Sequence, residues 1–146
     1  MKILLNRKAI IIMLVFAVPA FFLSRVIWPD PADAMQPTGG QIPFFIFLSV
    51  VESLLFGFAI AFAVTVWHKV KQINPAHRAR TKAAFFSLIW ILIQWWPHDN
   101  IHRANGMDLQ GLLYIEYAFH MTIIIASIIL THYFLATIKE HWSQSR

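Results

Sequence analysis

Four long apolar runs, separated by short polar stretches, dominate the hydropathy pattern of this chain. The first runs from about Ala9 to Trp28 and the second from Pro43 to Trp67. The third runs from Ala79 or Ala83 to Trp96, and the fourth from Gly111 to about Ile138. A membrane-spanning helix needs about 20 apolar residues, and three of the runs meet that length. The strictly apolar part of the third, Ala83 to Trp96, has only about 14 residues; these reach about 21 Å as a helix, against a hydrocarbon core of roughly 30 Å. The pattern predicts an all-α integral membrane protein. Its expected form is a single four-helix transmembrane bundle over residues 1–146, with spans near 9–28, 43–67, 79–96 and 111–138.

Charge between the runs sets an expected orientation. Lys2, Arg7 and Lys8 make the N-terminal tail basic, and the first loop, Pro29 to Gln41, carries Asp30 and Asp33 with no Lys or Arg. The second loop, His68 to Lys82, holds Lys69, Lys71, Arg78, Arg80 and Lys82, while the third, Pro97 to Gln110, has Asp99 and Asp108 against Arg103. Basic segments stay on the cytoplasmic side of a membrane, so the alternation predicts that Met1 and Arg146 are both cytoplasmic. Lys2, Arg7 and Lys8, an apolar core and Ala32-Asp33-Ala34 also have the plan of a cleavable signal peptide. The stretch from Ser24 to Ala34 is too long and Pro-rich for a usual cleavage region. The segment therefore reads as a retained first helix, with cleavage as the alternative.

Composition agrees with the membrane reading. The hydrophobic fraction is 58% and the charged fraction 13%, about half the charge of a soluble domain. The 13 Phe and 6 Trp suit lipid-facing bulk and interfacial anchoring. A net charge of +5 does not form a basic face but sits at the ends of apolar runs, so no nucleic-acid partner is expected. The absence of Cys excludes disulfides, thiolate metal sites and redox dithiols. Turn material fills the first loop (PDPADAMQPTGG), and Asn74-Pro75 marks a turn in the second. The expected setting is a bacterial inner (cytoplasmic) membrane. The expected partners are the lipid bilayer and either other membrane subunits or further copies of the chain.

Ionisable side chains inside apolar runs are costly and face a bundle interior, a cavity or one another. Glu52 lies about nine residues into the second run from its outer end, and Glu116 and His120 about five and nine residues into the fourth. Glu116 and His120 share a helix face by their i, i+4 spacing. Ser127 and Thr131 fall within about 60° of Glu116, so this polar stripe is expected to look inward. Ala59 and Ala63 fall within about 20° of Glu52, where small residues allow a close helix contact. The third run ends in WWPHDNIHR, with Gln94 before it. Pro97 is expected to end or kink that helix, and His98 and His102 follow at i, i+4 with Asp99 between them.

Because the third run is short, its outer end is expected to sink towards Glu116 and His120. His98, His102, Glu116 and His120 then form a candidate metal site, with Glu52 and Asp99 as further ligands or outer partners. Imidazole and carboxylate suit Zn, Fe, Mn or Cu. The competing reading makes His98 and His102 interfacial residues in water beside Trp95 and Trp96, with Glu116 and His120 bonded to each other and Glu52 protonated. Haem held by His68 and His132 is the weaker cofactor reading, since each points about 160° away from the proposed inner face. H-x3-H also occurs among the His boxes of membrane desaturases, but the H-x2-H-H boxes of those enzymes are absent. No hydrolase, P-loop, H-E-x-x-H or dinucleotide signature is present either. Three function classes follow: a metal-binding membrane protein, in its sharpest form a metalloenzyme; a non-catalytic subunit of a larger membrane complex; and a proton-relay or carrier element using Glu52, Glu116 and His120. A haem-binding electron-transfer subunit is a variant of the last.

Overall fold

The computed structural model of the protein describes residues 6–144 except Asp33 and Met35, and does not describe the side chain of Gln144. Met1, Lys2, Asp33 and Arg146, used above for charge and orientation, lie outside the described residues. Among the described residues the fold is all-α, with no strand. The helices are α1 (Arg7–Ile27), α2 (Ile42–Lys71), α3 (Pro75–Ile93), α4 (Trp95–Asn105) and α5 (Leu109–Gln144). Three of them, α1, α2 and α5, are long and apolar enough to cross a membrane. The first turns of α3 carry Arg78, Arg80 and Lys82, so its apolar part is short, as the sequence implied.

Local chemistry explains where the helices begin and break. The Asn6 side chain accepts from the Ala9 N–H at 2.8 Å, capping an otherwise unpaired donor of α1. Asn74 does the same for α3, accepting from Ala76 N–H at 3.0 Å, and Pro75 occupies the first helical position, where a missing N–H costs nothing. The basic stretch expected as a loop over His68–Lys82 is therefore mostly the ends of two helices, joined only through 72–74. The WWPHDNIHR stretch, expected to lead into a loop, is likewise helical as α4. Pro97 cannot donate to the carbonyl of Ile93 and crowds it, and the chain breaks at Gln94, one residue beyond. Pro97 then sits in the first turn of α4, where it is tolerated. The Gln94 carbonyl accepts from His98 N–H at 2.9 Å, so α3 and α4 remain nearly continuous.

Each long helix packs on its chain neighbours: α1 on α2, α2 on α3, and α3 on α5, while α4 touches α2, α3 and α5. Neither α1 and α5 nor α2 and α5 form a packed interface. The α1–α2 contact is the tightest, because it is lined by Ala9, Ala17 and Ala20 on one side and Ser53, Gly57 and Ala61 on the other, all but Gly57 at most 4% exposed. A Cβ placed on Gly57 would meet the Met13 carbonyl oxygen and would lie 2.9 Å from the Ala17 Cβ. On the adjoining face of α2, Glu52 and Ala59 are buried, as their shared phase predicts, and Ala63 is half-buried.

One expectation is corrected on α5. Ser127 and Thr131 are exposed, whereas the buried residues of that helix are Ile115 and Ala126. The polar stripe does not look into a bundle interior, because α5 meets α3 and α4 through a single narrow face and forms the edge of the molecule. Much of the exterior is apolar, with Phe22, Phe47, Ile128 and Phe134 exposed, a surface suited to hydrocarbon.

Candidate metal centre

Two ion-paired ends frame the candidate site. At one end Arg80 of α3 bonds both carboxylate oxygens of Glu140 on α5, at 2.8 and 3.1 Å. At the other, Asp30 after α1 pairs with Arg25 and with Arg103 of α4, the latter at 2.7 Å. Trp96 anchors α4 further: its indole N–H donates to the Ala20 carbonyl at 3.2 Å, and its ring packs on Phe56 and Trp28. Asn100, buried beneath it, donates to the Trp96 carbonyl at 2.6 Å.

The sequence-predicted ligands separate into two groups on either side of α4. Consecutive helical residues diverge by about 100°, so His98 and His102 share one face and Asp99 and Arg103 the next. His98 and His102 turn towards α5. Their Nε2 atoms lie 2.8 Å apart, and His102 Nε2 is 3.2 Å from Glu116 Oε1. The other Glu116 oxygen contacts His120 Nδ1. The His98 and His120 rings meet edge-on with centroids 5.2 Å apart. Ligand atoms of His98, Glu116 and His120 lie within 4.8 Å of one another, and His102 joins them through its contacts with His98 and Glu116.

A group of this kind could hold a metal ion. Three imidazoles and one carboxylate are borderline ligands of the kind Zn, Fe, Mn and Cu take. With metal–nitrogen bonds of about 2.0–2.1 Å, ligand atoms of a tetrahedral site lie about 3.3 Å apart; the His98–His102 and His102–Glu116 separations of 2.8 and 3.2 Å are near that spacing, while His98, Glu116 and His120 are grouped within 4.8 Å. His98 lies past the end of the third apolar run. Its ring leans on Phe119 at 4.8 Å, and Phe119 stacks on Trp90. The site is not sealed, since the His120 side chain remains 52% exposed.

Glu52 and Asp99 do not join this group. Instead the two carboxyl groups face each other on the α2 side of α4, with Arg103 nearby. Glu52 is 5% exposed. Sequence reasoning missed two members of this side. Arg25 lay inside an apolar run and was passed over, although a charge there demands a partner. Gln94 is fully buried, and neither side-chain amide atom has a hydrogen-bond partner among the described residues; a lone amide in WILIQWW was the available signal. His68 and His132 are exposed on α2 and α5, and no packed interface brings those helices together.

Comparison of the chain with protein-family models, with curated proteins and with solved structures gives no match.

Proposed function

We propose that this chain is a small multi-pass membrane protein that holds one transition metal between α4 and α5. The proposed ligands are His98, His102, Glu116 and His120. The observation that carries the reading is the convergence of two i, i+4 pairs from different helices within hydrogen-bonding distance of one another. The metal is one of Zn, Fe, Mn or Cu; haem is disfavoured by the exposure of His68 and His132 on separate helices. Glu52 and Asp99 act behind the site by fixing the opposite face of α4. The partial exposure of His120 and Glu116 leaves room for a further ligand, which is what a membrane metalloenzyme would need.

Around that centre we propose four membrane crossings, with α3 and α4 together making the third. Both chain ends lie on the cytoplasmic side of a bacterial inner membrane. The pairing of Asp30 with Arg103 and of Arg80 with Glu140 supports putting the first loop with α4 at one end, and the start of α3 with the end of α5 at the other. The test is elemental analysis of protein purified without chelator. About one equivalent of a transition metal is expected, and protein that carries none and takes none up would end the reading. A proton relay is the second reading, favoured by Glu52, buried on α2 beside the half-buried Asp99. It predicts no stoichiometric metal and loss of function in Glu52→Gln.

A further inference from the structure

Because α2 and α5 both pack on α3 but not on each other, a groove of about 340 Å³ opens between them. Its floor is α3, where Ala84 leaves depth between Thr81 and Leu88, and it runs past Phe62 towards the membrane interior. Lys69 and Tyr133 stand on its two walls. The groove is thus apolar along its length and carries hydrogen-bond donors at the end bearing the basic 68–82 segment.

What distinguishes Lys69 is that its basic neighbours already have partners. Arg80 is held by Glu140, Arg78 donates to the Ile73 carbonyl, and Lys71 and Lys82 lie over the Trp67 ring. Among the described residues, no hydrogen bond or ion pair involves the Lys69 ammonium, the Thr81 hydroxyl or the Tyr133 hydroxyl. Donors left over at the mouth of an apolar groove match a ligand with an anionic, acceptor-rich head and a hydrocarbon tail. We infer that this groove is a binding site for one anionic phospholipid, its phosphate on Lys69, Thr81 and Tyr133 and one acyl chain along Ala84 and Leu88. Basic residues beside a membrane attract anionic headgroups in general; here one lysine is placed to select a single lipid. The inference rests on the membrane reading alone and does not involve the metal centre.

The test uses full-length protein, delipidated in mild detergent, so the side of the membrane the groove faces does not matter. Native mass spectrometry would count retained lipid on titration with dioleoyl phosphatidylglycerol or dioleoyl phosphatidylcholine. One phosphatidylglycerol is expected to be retained with at least about fivefold preference, the effect of one lysine beside an anionic headgroup. Lys69→Gln should bring the two lipids to parity, whereas Lys71→Gln, whose ammonium is already on Trp67, should leave the preference intact. Ala84→Phe should reduce retention of both lipids by filling the floor. Equal binding of the two lipids by the wild type, or equal effects of Lys69→Gln and Lys71→Gln, would show ordinary annular lipid and bulk charge, and would overturn the site.

Discussion

His98 and Asp99 are adjacent in the chain yet serve different neighbours, because a helix turns about 100° between them. The i, i+4 pairs His98/His102 and Glu116/His120 were therefore legible as two ligand faces, but the partner of Asp99 was not, since spacing fixes a face and not the helix it meets. At this scale the proposed centre makes a sharp prediction. His102→Ala or His120→Ala should abolish stoichiometric metal, while His68→Ala and His132→Ala should leave it at the wild-type level by elemental analysis. Asp99→Ala, acting from behind the ligands, should weaken affinity by about 10- to 100-fold without removing the site. The effect of acid has a definite sign. Ligation requires neutral imidazole, so metal is retained above the ordinary imidazole range near pH 6.5 and lost as pH falls through it. Metal content after equilibration across pH 5 to 8 (roughly the window of imidazole titration) should fall towards the acid end. A flat profile would remove the histidines from the coordination shell.

The helices themselves were readable from hydropathy, and their contacts only in part. Glu52 and Ala59 shared a phase, and both are buried. The small-residue contact that matters most, Ser53, Gly57 and Ala61 against α1, lies on the adjoining face and went unread, because nothing local tells which of two small stripes a neighbour will choose. Membrane helices lack a hydrophobic drive to associate and rely on close packing at small residues, so Gly57 is the position least able to grow. Gly57→Ala should lower stability by about 1–3 kcal/mol through overpacking, read as a fall in the thermal unfolding midpoint in detergent, and Gly57→Leu by more. Gly39→Ala and Gly40→Ala are the controls, since nothing lies within 4 Å of a Cβ at either position. Ala59→Leu should also destabilise, and Ala63→Leu less, in line with their burial. Equal tolerance at Gly57 and Gly39 would mean that α1 and α2 are not in close contact.

Across the whole molecule, charge is largely sorted by end, Glu140 at the basic end being held by Arg80. Arg7, Lys8, Lys69, Lys71, Arg78, Arg80 and Lys82 gather at the end that holds the α2–α3 connection, and Asp30, Asp99 and Asp108 at the other. Arg25 and Arg103, the two basic residues at the acidic end, both pair with Asp30. The rule that sorts loops counts Lys and Arg rather than net charge, and by that count the end holding the α2–α3 connection is still the more basic. The orientation is testable without engineering a background, because the chain has no cysteine. Cysteine in place of Gly39 meets open space and should react with impermeant thiol reagents in intact cells. Cysteine in place of Gln72, in the short turn between α2 and α3, should stay protected until the membrane is opened. The opposite pattern would turn the molecule over and move the His98–His120 centre to the cytoplasmic face, where the cell's metal-buffering pool would load it and a periplasmic substrate could not reach it. Labelling at both sites in intact cells would mean that the α2 segment does not cross at all.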